Sequence, residues 1–201
     1  MKLRIIYCLL FIATTLLLSG CLVLPYPSSS DPVPVNPPGI PTSGLLLDDL
    51  SFPPGWKAVN CEPYCDLSLK ESSRTFGREG MPGRVVQDVF YYRTERNAEA
   101  KFQRYLETTG HSYPSEINYL SPIADEQYLR CGIVERNDIK ICQAARRYGN
   151  YFVYLYFDID MGYDDGLPTI EDVEPILRAL DERVSERLDI PFPAEEENPS
   201  D

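Results

Sequence analysis

The chain predicts an α+β domain, a twisted antiparallel sheet with two main helices packed on one face. Three observations carry this reading. Runs rich in β-branched and aromatic residues recur between short polar turns. Those turns are too short for parallel crossovers, so the strands they join form hairpins and an antiparallel sheet. Two further segments space their apolar residues as helices do, and amphipathic helices against such a sheet give a layered α+β domain.

In chain order, Pro53-Pro54-Gly55 stops the leading segment and a strand follows at Trp56–Asn60. A second strand is expected over Glu71–Gly77. Val-Val-Gln-Asp-Val-Phe-Tyr-Tyr-Arg, Val85–Arg93, is the third. Ala98, Phe102, Tyr105 and Leu106 then form one apolar helical stripe, with Thr94 as its cap and Gly110 as its stop. Tyr128–Val134 and Ile139–Arg147 flank the polar turn Glu135-Arg136-Asn137-Asp138. Closing that hairpin with Val134 opposite Ile139 sets Cys131 opposite Cys142, at a pair where side chains lie closest. A slip of one residue would send the two thiols to opposite faces. Tyr148-Gly149-Asn150-Tyr151 is a second tight turn into Phe152–Phe157, which is apolar or aromatic on both faces and therefore central. Val173, Ile176, Leu177, Leu180, Val184 and Leu188 mark the final helix. Its expected start is a short turn capped by Thr169, then a main helix capped by Asp172 with Pro175 in the first turn, where no amide donor is needed.

The amino-terminal segment has a different character. Lys2 and Arg4 precede an apolar run, Ile5–Leu18, and Leu18-Ser19-Gly20-Cys21 closes it. Its 14 residues reach roughly 21 Å as a helix, short of a hydrocarbon core of about 30 Å. A secretory signal fits better than a permanent span. The closing tetrapeptide resembles the lipobox of bacterial lipoproteins. That resemblance implies cleavage after residue 20 and a diacylglyceryl group on the Cys21 sulfur, usually with an acyl chain on the new amine. Two or more chains anchor a protein stably. It also implies an extracytoplasmic location, with inner and outer membranes left open. No cofactor beyond this covalent lipid is expected.

Residues 21–44 are expected to be a lipidated, disordered tether. Leu22–Gly44 holds seven prolines, four serines and two glycines without apolar periodicity. Fully extended as polyproline II, such a stretch spans roughly 70 Å. The globular domain is expected over residues 45–192, and residues 193–201 form an acidic tail. About 150 residues suffice for one domain with a real core.

Without residues 1–20 the chain carries 17 basic and 31 acidic residues, a net charge of −14. Such a protein is repelled by anionic membrane surfaces and by nucleic acid. Setting aside Cys8 and Cys21 leaves Cys61, Cys65, Cys131 and Cys142. Four cysteines in an oxidising compartment allow three disulfide connectivities. Local geometry favours Cys61–Cys65 and Cys131–Cys142. The spacings do not match a zinc site.

Val-Val-Gln-Asp-Val, a helix, then Cys131, Cys142 and Arg147-Tyr148-Gly149-Asn150 before an apolar strand resemble the extracellular sensor domains of mycobacterial receptor kinases and related lipoproteins. The resemblance implies a two-disulfide α+β module that takes a ligand in a cleft. It rests on element order and cysteine placement, so it carries no functional residue across.

The chemistry-bearing residues are few. His111 is the only histidine, without a Gly-x-Ser-x-Gly elbow to serve. Asp158-Ile159-Asp160-Met161-Gly162-Tyr163-Asp164-Asp165-Gly166 offers oxygen ligands for Ca²⁺, but Tyr163 and Thr169 stand where an EF-hand needs Gly and Glu. No metal site is expected there. Gly80-Met81-Pro82-Gly83 opens no helix and is not a phosphate loop. Tyr91, Tyr92, Tyr148, Tyr151, Tyr154 and Tyr156, with Trp56, raise two readings: sheet packing or a groove for glycan or peptide. Arg130, Arg136, Arg146 and Arg147 make either a basic spot for an anion or partners for neighbouring acids. The expected function is a non-catalytic, anchored ligand-binding or sensing module. The alternative is a structural or accessory subunit of an envelope complex. A hydrolase is a third reading, which needs His111 beside a nucleophile.

Overall fold

A computed structural model describes residues 31–59, 71–78, 84–109, 117–134, 139–159 and 170–193. Six strands are β1 (Trp56–Val59), β2 (Glu71–Arg78), β3 (Val85–Tyr91), β4 (Glu126–Val134), β5 (Ile139–Tyr148) and β6 (Tyr151–Ile159). Among the described residues the α-helices are α1 (Glu95–Thr108) and α2 (Ile170–Leu188). The strands form one sheet in the order β1-β2-β3-β6-β5-β4, every neighbouring pair antiparallel. Two three-strand meanders are thus joined where β6 pairs β3. The chain crosses between them through α1, which is capped as expected by the Thr94 hydroxyl accepting from the Asn97 amide at 3.2 Å.

The β4–β5 register sets Cys131 opposite Cys142, and the two form a disulfide with their Cα atoms 4.0 Å apart. Sheet pairing and cross-link agree: a slip of one residue would send the thiols to opposite faces, and a slip of two would move them apart along the strands. The two sulfur-bearing residues sit in the core, beside Phe157 of β6.

The two helices lie on opposite faces of the sheet, which corrects their expected placement together. Val153, Leu155 and Phe157 of β6 face α2, whose Val173, Ile176, Leu177, Leu180 and Val184 are buried against them. Phe152 and Tyr154 point the other way and meet Ala98, Phe102 and Tyr105 of α1. Both faces of β6 are apolar, and each recruits its own helix.

One helix does not cover a six-stranded face. A strap from Val35 to Phe52 completes the α2 side. Leu45 and Leu47 are fully buried in the core. The Gln87 side chain on β3 accepts from the Leu47 amide at 2.8 Å and donates to the Leu45 carbonyl at 3.0 Å. Arg74 of β2 donates to the Leu47 carbonyl at 2.7 Å. These contacts supply the hydrogen bonds that extended backbone needs when it leaves water.

The strap begins inside the stretch expected as disordered tether. Val35 N–H donates to the Tyr91 carbonyl at 2.7 Å, the Tyr151 hydroxyl donates to the Ile40 carbonyl at 2.7 Å, and the Thr42 and Ser72 hydroxyls pair at 2.7 Å. Ordered packing therefore starts upstream of Leu45. Prolines do not prevent this, because the partners come from the sheet and not from the segment itself.

The start of α2 is also corrected. The helix begins at Ile170, so Pro175 lies inside it and not in the first turn of a helix capped by Asp172. The ring removes the amide that would serve the Glu171 carbonyl. Burial of Val173 and Ile176 on either side of the proline holds the turn in place.

Candidate functional site

Sheet register assembles a polar and aromatic row on the α1 face. Ser73 of β2 pairs Asp88 of β3, Asp88 pairs Tyr154 of β6, Tyr154 pairs Ala145 of β5, and Ala145 pairs Tyr128 of β4. The small Ala145 leaves room above the sheet, and Tyr105 of α1 occupies it. Its ring lies 5.3 Å from Tyr154 and 5.6 Å from Tyr128, edge-on to the latter. The Tyr105 hydroxyl reaches Gln143 Oε1 at 3.5 Å, and the Arg130 guanidinium stacks 5.0 Å from the centre of the Tyr128 ring. Tyr105, Tyr128, Tyr154, Tyr156, Asp88 and Gln143 are all half-buried. Each therefore keeps part of its surface toward solvent.

Burial shapes the electrostatics of this row. Desolvation raises the Asp88 carboxyl above its ordinary value, against a hydrogen bond from Ser73 that lowers it. Desolvation also pushes the Tyr154 and Tyr156 phenols up to about 12, and raises Tyr105 further. The phenols are neutral at physiological pH, each with one O–H to give and lone pairs to accept. A carboxyl that burial disfavours as an anion, surrounded by neutral phenols, is suited to hydrogen-bonding a neutral polar ligand. A raised carboxyl beside convergent polar groups is the kind of cluster that marks binding sites.

The opposite face holds a second polar cluster with a different character. Asp181 of α2 is fully buried and takes four donors: Arg146 at 2.7 Å, Tyr148 O–H at 2.6 Å, Ser121 O–H at 2.9 Å and Tyr119 O–H at 2.8 Å. Arg146 also donates to the Leu177 carbonyl at 2.9 Å and stacks over Tyr119. Four donors saturate a carboxylate, and among the described residues no buried side-chain polar atom lacks a partner. This cluster is closed. It pins residues 119–121 to α2 and leaves no lone pair for a ligand.

At the end of the sheet where β5 turns into β6, a groove of about 390 Å³ opens beside Pro38 and Gly39. Tyr91, Asn150, Tyr151, Leu188 and Ile190 line it. The Tyr91 and Tyr151 rings meet edge-on at 4.9 Å, and Asn150 Nδ2 donates to the Tyr91 hydroxyl at 3.3 Å.

The tyrosines singled out in the sequence are thus divided. Tyr92 and Tyr148 are core residues, Tyr91 and Tyr151 line the end groove, Tyr154 belongs to the row across the sheet, and Tyr156 lies on the same face one pair further along, opposite Gln143. The arginines divide as well. Arg146 and Arg147 are successive strand residues and point to opposite faces. Arg147 pairs with Asp125 at 3.0 Å and Glu126 at 2.5 Å, so these cations neutralise neighbouring acids. Asp158 pairs with Arg84 at 3.8 Å. Among the described residues no group of three metal-ligating side chains converges. Cys21, Cys61, Cys65, His111, Arg136 and residues 160–169 lie outside the described residues.

Asp88, Tyr105, Gln143 and Asp181 carry no motif. The signal for Asp88 was its place, with Gln87, in a strand whose other residues are apolar or aromatic. For Asp181 it was the position beside Leu180 and four residues after Leu177, within the buried arc of the helix.

The chain matches no protein-family model, no curated protein and no solved structure.

Proposed function

We propose that this protein is a lipoprotein anchored through Cys21 on the extracytoplasmic side of a membrane, whose α+β domain binds a ligand without catalysis. The observation that carries the binding half is the Ser73–Asp88–Tyr154–Ala145–Tyr128 row with Tyr105 above it. Hydrogen-bonding groups and aromatic rings there share one half-buried surface, where a polar ligand with an apolar face finds both kinds of partner. The anchoring half is supported by Leu18-Ser19-Gly20-Cys21 after a short apolar run. Among the described residues no helix is long and apolar enough to cross a membrane.

The binding half is tested by screening neutral saccharides and short peptides against the soluble domain while following the Tyr105, Tyr128 and Tyr154 ring resonances. Ligand-dependent shifts at those rings, abolished by Tyr154→Ala, are expected; shifts confined to other surfaces would reject the row as the site. The anchor is tested by Cys21→Ala, which should leave an unprocessed precursor or release the protein. Unchanged mass and membrane fractionation in that variant would remove lipidation.

A further inference from the structure

The two outer strands of the sheet are guarded differently. β1 has four residues, follows Pro53-Pro54-Gly55 and carries Lys57. Shortness, lysine and proline are how natural sheets keep an edge from pairing. β4, at the other edge, runs nine residues with neither lysine nor proline. Cys131 and Cys142 lie with their Cα atoms 4.0 Å apart, the spacing of a non-hydrogen-bonded pair. Strand alternation then turns the backbone groups of Glu126, Tyr128 and Arg130 toward β5, and those of Gln127, Leu129 and Cys131 out of the sheet. Among the described residues no backbone group bonds these last three. Residues 117–121 pass on the α2 side, where Tyr119 and Ser121 bond Asp181, and the Ser121 amide reaches β4 through the Gln127 side chain at 2.7 Å.

The side chains of this edge are complementary to themselves. Glu126 and Arg130 stand two residues either side of Tyr128, on the same face. Among the described residues the Arg130 guanidinium meets no carboxylate; it lies 5.0 Å from the centre of the Tyr128 ring. Glu126 takes Arg147 at 2.5 Å on one oxygen and Gln103 at 2.8 Å on the other, and a carboxylate has about four acceptor sites. A two-fold contact between identical copies must be self-complementary. Opposite charges spaced evenly about one residue meet that condition in an antiparallel pair, where like charges would oppose it. We propose that β4 is a dimerisation edge, pairing antiparallel with β4 of a second copy about a two-fold axis at Tyr128. Each Glu126 then faces Arg130 of the other copy, and each Gln127 exchanges backbone hydrogen bonds with the other copy's Leu129. On the α2 side the contact brings a second Leu129 beside Ile117 and Leu120, which border an apolar cavity of about 370 Å³; Leu120 is 74% exposed. The two sheets become one, and the two rows from Asp88 to Tyr128 meet end to end. The pairing stands whether or not that row binds a ligand.

The test uses the chain from residue 21 onward with Cys21→Ser, in sedimentation equilibrium from micromolar to millimolar concentration. A reversible monomer–dimer equilibrium is expected; a monomer throughout would overturn the proposal. Arg130→Glu sets carboxylates opposite each other at both ends of the contact and should weaken the dimer at least about tenfold. Lys57→Glu on β1 changes the net charge by the same amount and should leave the dimer unchanged, so equal losses in the two variants would also overturn it. Leu129→Pro removes an outward N–H that no strand of the same chain uses. It should keep the circular dichroism of the parent and lose the dimer; a dimer that persists in it uses another surface and refutes the edge. Tyr128→Cys places two thiols across the axis, at a pair where side chains lie closest. Mild oxidation should join them to each other, read by peptide mapping, and the absence of that link would refute the register and the proposal with it.

Discussion

The Asp181 carboxylate meets the Arg146 guanidinium at 2.7 Å, with the carboxylate fully shielded from solvent and the guanidinium only 3% exposed. The pair connects the middle of α2 to β5, two residues before that strand's end. Around it the hydroxyls of Tyr119, Ser121 and Tyr148 fill the remaining carboxylate positions. Burying two charges costs several kcal/mol each, and only such a full set of partners offsets that. Removing either member strands the other in the core. Asp181→Ala and Arg146→Ala are each expected to lower unfolding free energy by about 3–5 kcal/mol, measured by urea denaturation. A loss below about 1 kcal/mol would mean that water reaches the pair.

The clamp formed by Gln87 predicts a second large loss. Gln87→Ala leaves the Leu47 amide and the Leu45 carbonyl buried without partners. Each such group costs about 1–3 kcal/mol, so the variant should lose roughly 2–6 kcal/mol. Hydrogen exchange at Leu47 should rise with it, while the Cys131–Cys142 hairpin keeps its protection.

The disulfide predicts both a chemical and a thermodynamic result. Non-reducing peptide mapping should recover Cys131 joined to Cys142. Replacing both with Ala should cost about 2–3 kcal/mol, the value for closing a loop of this size. Free thiols at both positions would refute the hairpin register.

Asp88 predicts a pH dependence with a definite sign. Its folded carboxyl is raised by desolvation, so the folded state holds the proton more tightly than the unfolded chain does. Between the unfolded value of 3.8 and the raised folded value, this group makes the protein less stable as pH rises. Asp88→Asn should therefore be more stable than the unmodified protein at pH 7 and gain nothing at pH 3, where both side chains are neutral. Thermal melts at the two pH values give the comparison. A variant less stable than the parent at pH 7 would mean that the carboxylate has an unrecognised partner.

Local pattern made most of the sheet legible. Hairpin register followed from one pair of cysteines and one polar turn, because closing the turn at Val134 and Ile139 sets the two thiols directly opposite. The Thr94 cap and the two helical stripes were equally local. What periodicity cannot specify is the face on which a helix lands. Phe152, Tyr154 and Tyr156 showed that β6 is apolar on its second side, and that side needs a cover as much as the first. Pro175 misled for the opposite reason: its local penalty is real, but the burial of Val173 and Ile176 outweighs it. The strap was hidden by composition. Prolines mark a stretch that cannot order itself, yet Tyr91, Tyr151 and Gln87 order it from outside. The row around Asp88 draws its members from β2, β3, β4, β5, β6 and α1, so only their pairing reveals it.

The route of the strap also sets how the domain responds to pulling. It enters beside Tyr91 and Tyr151 at one end of the sheet, passes Gln87 at mid-strand, and reaches β1 at the far end, where Trp56 pairs Arg78. A load applied from the amino-terminal side runs parallel to the strands. The strap's hydrogen bonds to Tyr91, Gln87, Arg74 and Tyr151 then resist in shear, sharing the force instead of opening one after another like a zipper. A pull on the amino-terminal end of the strap is in this way taken up by the middle of the sheet and not by its edge.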